Sequence, residues 1–216
     1  FSCKNSYHGS SQGALSLMGT EVYKTNYRPL LPNCHTIEYN SEKCLQKITE
    51  KTAAVVVEPV QGATGFITPK NNWLQKLRLR CNEVGALLIF DEIQTCYGRT
   101  GKLFALETYS VIPDILCIAK GMGGGMPLGA FISSKENMDS LKDNPKLGHI
   151  TTFGGHPISC AAALSTLQTL VQNSSIINNI PIKEKLFRKG LEHSIVKEIR
   201  GIGLMLAVEL GDIEKC

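Results

Sequence analysis

The stretch "GALLIFDEIQTCYGRTGK" (residues 85–102) runs five uncharged residues, Ala86 to Phe90, into two adjacent carboxylates, Asp91 and Glu92. A short apolar run bounded by glycine and ended by charge predicts a buried strand. A carboxylate at the mouth of such a strand is costly unless it is solvated, hydrogen-bonded or facing a cation. Asp91 and Glu92 therefore mark a place where polar partners must collect.

Working outward, "AAVVVEPV" (53–60) is rich in β-branched residues and is stopped by Pro59, which predicts another strand. Between the two, "NNWLQKLRLRCNEVG" (71–85) sets Trp73, Leu74, Leu77 and Cys81 at helical spacing, with Gly85 as terminator. "PDILCIAKG" (113–121) and "LGAFISS" (128–134) supply a third and a fourth strand. All four are mostly uncharged and so are expected to be covered on both faces. The alternation predicts an α/β fold with a mostly parallel central sheet covered by helices.

A small-residue helix, "PISCAAALSTLQTLV" (157–171), then leads to the polar break "QNSS" (172–175). We place a boundary there, giving a large domain over residues 1–173 and the beginning of a smaller α/β C-terminal domain over 174–216. In the latter, "IPIKEKLFRKGLEHSI" (180–195) reads as a surface helix, and "RGIGLMLAVEL" (200–210) as a turn followed by a strand. Because the chain opens on Phe1 and stops at "GDIEKC", it reads as an internal fragment of a longer protein.

In open α/β sheets, ligands gather at the carboxyl ends of the strands. Three polar groups are expected there: Glu58 with Gln61, Asp91 with Gln94, and Lys120. Lys120 opens the run "KGMGGGMPLG" (120–129), whose Gly121, Gly123, Gly124 and Gly125 allow positive φ and a close approach to a ligand. The run matches neither a P-loop, whose lysine follows its glycines, nor GxGxxG, and this disfavours a nicotinamide-dependent dehydrogenase. A lysine after an apolar strand is expected to be partly desolvated, which makes its amine a nucleophile toward an aldehyde. If that aldehyde is pyridoxal phosphate, its ring nitrogen needs a fixed carboxylate, for which Asp91 is the candidate. Taken alone, the glycine run is an ordinary turn and Asp91 an ordinary cap or loop hydrogen bond. Together, on successive strand ends, they point to an imine-forming site.

Composition narrows the remaining classes. Hydrophobic residues make up 43% and charged residues 19% of the 216, the balance of a soluble globular protein. The net charge of +4 comes from Lys and Arg scattered among acids, with no nucleic-acid or membrane footprint. Eight cysteines are dispersed without a CxxC pair, which favours reduced thiols and a cytoplasmic location. No metal-ligand spacing competes with the lysine site.

Six blocks carry a more specific signal: "NSYHGS" (5–10), "VVVEPVQG" (55–62), "LLIFDEIQTCYGRTGKLFA" (87–105), "PDILCIAKGMGGGMPLGA" (113–130), "HITTFGGHPISCAAA" (149–163) and "RGIGLMLAVEL" (200–210). In kind and order they resemble the class III, fold-type I pyridoxal-phosphate-dependent aminotransferases, the group that includes the acetylornithine, ornithine and 4-aminobutyrate enzymes. The resemblance implies a transaminase moving an amino group between an amino donor and a 2-oxo acid such as 2-oxoglutarate. Other chemistry on the same scaffold, aminomutase or decarboxylase, is the alternative, as is a non-catalytic truncated paralogue.

By the same resemblance, Lys120 would carry the pyridoxal phosphate as a Schiff base and shuttle a proton, and Asp91 would pair with the pyridinium. Gln94 would contact the ring hydroxyl, Ile93 and Tyr7 would cover the two ring faces, and His8 would join the cofactor site. Thr152 would bind the cofactor phosphate of a neighbouring subunit, which implies a homodimer with shared sites. Glu58 would face the substrate pocket, or pair with a nearby lysine or arginine. The resemblance also implies a phosphate-cradling glycine and serine loop upstream of Phe1. Two positions depart from the ornithine-type pattern: Ser10 stands where many members have an arginine that holds a substrate carboxylate, and Ala63 where they often have a glutamate.

Overall fold

The structure, a computed structural model, describes residues 1–143, 146 and 150–211. The strands are β1 (Ser2–Cys3), β2 (Thr36–Ile37), β3 (Ala54–Val57), β4 (Leu87–Asp91), β5 (Ile115–Ile118), β6 (Ala130–Ser133), β7 (Val196–Ile202) and β8 (Met205–Leu210). The helices are α1 (Gln12–Ser16), α2 (Glu42–Leu45), α3 (Trp73–Val84), α4 (Ala105–Tyr109), α5 (Lys135–Asp139), α6 (Pro157–Gln172), α7 (Ser175–Asn178) and α8 (Ile180–Gly190).

The core forms where β3 and β4 meet α3. Parallel register sets Val55 beside Leu88 and Val57 beside Phe90, and all four side chains are fully buried. Onto them α3 lays Trp73, Leu74, Leu77 and Cys81, the face expected from their spacing. Each such side chain contributes about 1.5–3 kcal/mol by leaving water. The helix ends at Gly85, whose φ of 73° is the left-handed conformation that glycine adopts without a Cβ clash.

The main sheet has the order β3-β4-β5-β6; its first two pairings are parallel and the last is antiparallel. β1 lies alongside β3, since the Phe1 amine donates to the Ala54 carbonyl and the Val56 amide to that of Phe1. This contact carries the Tyr7–His8 segment to the carboxyl ends of the parallel strands.

Two expectations, the coverage of β6 and the turn at residues 200–204, are corrected here. β6 is not covered on both faces: Phe131 is 44% and Ile132 51% exposed, because β6 is the sheet edge and pairs only with β5 among the described residues. The positive φ expected in the glycine run is found at Gly124 and Gly125, and at Gly124 it also serves packing within the chain, because a Cβ there would collide with the Thr166 side chain on α6. Finally, Arg200, Gly201 and Ile202 end strand β7, and the chain reverses at Gly203–Leu204. Gly201 reads as a turn residue but sits in the strand with φ of 112°, where the backbone of Met205 leaves no room for a side chain.

The expected surface helix over 180–195 is present as α8 but ends at Gly190, and it packs on the β7–β8 hairpin through Arg188, which donates to the carbonyls of Ile199 and Gly201 at 2.8 Å each. The expected smaller domain runs to residue 216, and residues 212–216 lie outside the described residues. The seven cysteines among the described residues are free, and no helix among them is long and apolar enough to cross a membrane.

Candidate active site

The carboxyl ends of β3, β4 and β5 bring Glu58, Asp91 and Lys120 to one cavity of about 200 Å³, which Tyr7, His8, Ile93 and Gln94 also line. Seven of the nine residues expected at the strand ends and the site thus meet at one place. Gln61 is buried elsewhere, its side-chain amide donating to the Lys4 carbonyl at 2.9 Å, and Thr152 is exposed and lies outside this lining.

Asp91, the last residue of β4, is buried. One carboxylate oxygen accepts the Ile93 amide at 3.1 Å, and the other lies 2.8 Å from Nδ1 of His8. The His8 ring is buried as well, and its Nε2 has no hydrogen-bond partner among the described residues. Within the chain, the partner that makes Asp91 affordable at a strand end is therefore an imidazole from the β1 side. Sequence reading placed His8 at the site and missed this contact, because nothing local links residues 8 and 91.

Glu92, whose side chain points away from the cavity, is fully buried and is satisfied differently. Its carboxylate accepts the amides of Ala105 (2.6 Å) and Leu106 (2.8 Å) at the start of α4, and the hydroxyl of Thr95 (2.9 Å). Burial pushes its carboxyl above the usual carboxylate range, against the pull of those bonds. The two neighbouring acids thus divide the work: Asp91 faces the cavity, and Glu92 ties down the loop that carries Ile93 and Gln94.

Glu58 is also buried, and its partners are backbone amides, those of Tyr7 (3.1 Å) and Gly62 (3.0 Å), where a lysine or arginine was the alternative expectation. Burial raises its pKa, opposed mainly by the Gly62 hydrogen bond. By holding the Tyr7 amide it fixes the aromatic ring at the cavity rim. Gly62 leaves space for Gln94, since a Cβ there would sit 2.6 Å from the Gln94 side-chain oxygen.

Lys120 corrects the expectation of desolvation, because it is exposed. It begins a single 3-10 turn just beyond β5 and has a φ of 49°, a left-handed conformation that costs a non-glycine residue about 1–2 kcal/mol. A strained lysine held at a cavity by its surroundings is the kind of outlier found at functional sites. Its side chain lies between this cavity and a second cleft, lining both.

Comparison with known proteins identifies the family. The model of the class-III aminotransferase family matches residues 1–215. The acetylornithine aminotransferase of Clostridium acetobutylicum is 40% identical over 218 residues, covering 98% of this chain and 56% of that protein. The putrescine aminotransferase of Pectobacterium atrosepticum is 42% identical, covering 94% and 46%. The ornithine aminotransferase of Toxoplasma gondii, whose structure holds pyridoxal phosphate at partial occupancy in its active site, superposes with a TM-score of 0.88 at 34% identity, covering 97% of this chain and 50% of that one. The chain spans about half the length of the curated relatives it matches. It belongs to the class-III aminotransferases and has their fold.

Proposed function

We propose that this class-III aminotransferase chain binds pyridoxal 5'-phosphate at the ends of β4 and β5 and moves an amino group between an amino donor and a 2-oxo acid such as 2-oxoglutarate. The observation that carries the reading is the buried Asp91–His8 pair sharing one cavity with Lys120 and Tyr7.

The residues fit the cofactor. An apolar cavity of about 150 Å³ accepts benzene, so one of about 200 Å³ has room for a six-membered ring. Asp91 uses two of the roughly four acceptor sites of a carboxylate, leaving capacity for the N–H of a ring nitrogen. Tyr7 offers a flat face for stacking, and Ile93 an apolar one for the opposite side. When bound, pyridoxal phosphate supplies the aldehyde that captures an amine and the electron sink that loosens the bond to the α-proton.

The chain's own residues would then act as follows. Asp91, oriented by His8 and the Ile93 amide, keeps the ring nitrogen protonated. Lys120 would hold the cofactor through Nζ, and its free amine would carry a proton to and from the substrate α-carbon. That step requires a deprotonated amine. Gln94 hydrogen-bonds the ring hydroxyl, and Glu58 borders the space where the substrate enters.

The names of the relatives support a donor with a terminal amine, such as ornithine, acetylornithine or putrescine, and an ω-amino acid is of the same kind, while Ser10 and Ala63 tell against the ornithine-type clamp. The exposure of Thr152 supports the reading that it binds the cofactor phosphate of a neighbouring subunit in a homodimer with shared sites. The dispersed free thiols support a cytoplasmic setting. Transfer to 2-oxoglutarate would separate a transaminase from an aminomutase or decarboxylase.

The test is visible absorbance of the purified chain with pyridoxal phosphate, before and after borohydride, followed by peptide mapping. A yellow protein with the reduced adduct on Lys120, lost in Lys120→Ala, is the expected outcome. A colourless protein with no adduct would overturn the reading for this chain.

A further inference from the structure

On the other side of Lys120 from Asp91 lies a larger cleft, of about 470 Å³, which shares Ile93, Gln94 and Lys120 with the cofactor cavity. Its walls come chiefly from the loop after β4, helix α8 and the turn between β7 and β8, completed by Phe66, Ile176 of α7 and the turn at Lys120–Gly121. These parts are locked together. The Leu204 amide donates to the Arg99 carbonyl at 2.8 Å, and a Cβ on Gly203 would lie 2.6 Å from that same carbonyl. Gly98 packs directly against Ile177 and Ile180, where a Cβ would come within 3.3 and 3.5 Å. The packing sets Lys183 of α8 and Arg99 of the loop around one opening.

The charge of this cleft is one-sided. Arg99, Lys183 and Lys120 line it together with Phe66, Tyr97 and several aliphatic side chains, and no acidic residue is among the described residues that line it. None of the three cations forms an ion pair with a described residue, although the chain's other arginines do so repeatedly. All three residues are exposed at the cleft, and like charges gathered at one opening raise a positive potential that attracts anions. The arginine that many ornithine-type members place after "HG" is here Ser10, so a substrate carboxylate needs its cation from elsewhere. We propose that Arg99 and Lys183 form a carboxylate subsite that holds the far carboxylate of a dicarboxylic substrate while its reacting end faces Lys120. The second half of that statement rests on the function proposed above; the carboxylate binding does not.

The direct test is isothermal titration of the full chain, with and without pyridoxal phosphate, using glutarate as the dicarboxylate probe and butyrate as its monocarboxylate control. Glutarate is expected to bind at least about tenfold more tightly than butyrate, with affinity falling as salt rises. Arg99→Gln together with Lys183→Gln should remove that preference, and each single change a part of it. Lys183→Gln lies on an exposed helix position, so it keeps the test valid should the Arg99 variant fold poorly. Equal affinity for the two probes, or a preference that survives in the folded double variant, would overturn the subsite. The borohydride adduct on Lys120 reports separately on the cofactor reading. An adduct that forms without a glutarate preference sinks the subsite alone, whereas a glutarate preference without an adduct sinks the cofactor reading and leaves carboxylate binding standing.

Discussion

His8 and Asp91 are 83 positions apart, yet their 2.8 Å contact decides what the end of β4 can do. A buried carboxylate with one firm partner on each oxygen keeps its orientation and still has a lone pair to offer. Replacing the imidazole by Phe in His8→Phe keeps a ring of similar bulk and removes the hydrogen bond. A hydrogen bond to a charged group contributes about 1.5–3 kcal/mol, so retention of pyridoxal phosphate on dialysis should weaken by roughly tenfold or more. Undiminished retention would show that Asp91 does not depend on His8. Glu92 gives a second prediction at this scale. Because burial raises its folded pKa above the unfolded value of about 4.3, the folded chain binds that proton more tightly than the unfolded chain does. Its favourable contribution is therefore complete below that pH and is lost as pH rises through the folded pKa. Glu92→Gln should flatten this part of the pH dependence of unfolding. It should also cost about 1–3 kcal/mol near neutrality, by turning an amide N–H toward the donors of Ala105, Leu106 or Thr95. A variant whose stability follows pH with the wild-type slope would assign the dependence to another group, Glu58 being the next candidate.

At the scale of elements, most of the large unit was legible because each segment carries its own periodicity. Strands β3, β4 and β5 and helix α3 appear where β-branched runs and the Trp73, Leu74, Leu77, Cys81 spacing put them. What escaped was set by neighbours. The uncharged run of β6 looks like a covered strand, but its sequence does not say what lies beside it. Gly124 and Gly201 signal backbone freedom without saying whether a ligand, a helix or a facing strand requires it. The Asp91 site was legible as a set of residues and not as a set of contacts, since Asp91–His8 and Glu92–α4 are tertiary. A direct check of the element reading is α3 itself. Trp73 is fully buried, packs against Tyr39 and donates to the Ser41 carbonyl at 3.2 Å, whereas Leu79 on the opposite face is exposed. Trp73→Ala should cost about 3–5 kcal/mol in urea unfolding and Leu79→Ala less than about 0.5. Similar losses at the two positions would mean that the face assignment of α3 is wrong.

For the whole molecule, the question is how residues 174–211 are joined to what precedes them, because the proposed carboxylate cleft exists only while they are. The contacts across that boundary are few and specific. Arg200 donates to the Gly65 carbonyl at 3.2 Å while it is held by Glu198 and Glu209. The Leu204 amide reaches the Arg99 carbonyl, and Ile180 and Met205 are buried. The tightest of these places is Gly203. Its φ is 61°, and a side chain there would meet Arg99 and Thr100 at 2.6–2.8 Å, all of it backbone that cannot rotate away. Gly203→Val should therefore lift the hairpin from the loop and leave the β3–α3–β4 core intact. Local opening of that kind is read by proteolysis when the opened population controls cleavage. Limited digestion should cut the variant near Asn173–Ser174 several-fold faster than the parent chain, with little change in the urea midpoint of the large unit. The same variant should lose the preference for glutarate, since Arg99 and Lys183 no longer face one cleft. If cleavage is faster and the glutarate preference persists, the cations do not act together, and carboxylate recognition belongs to Lys120 and the loop alone.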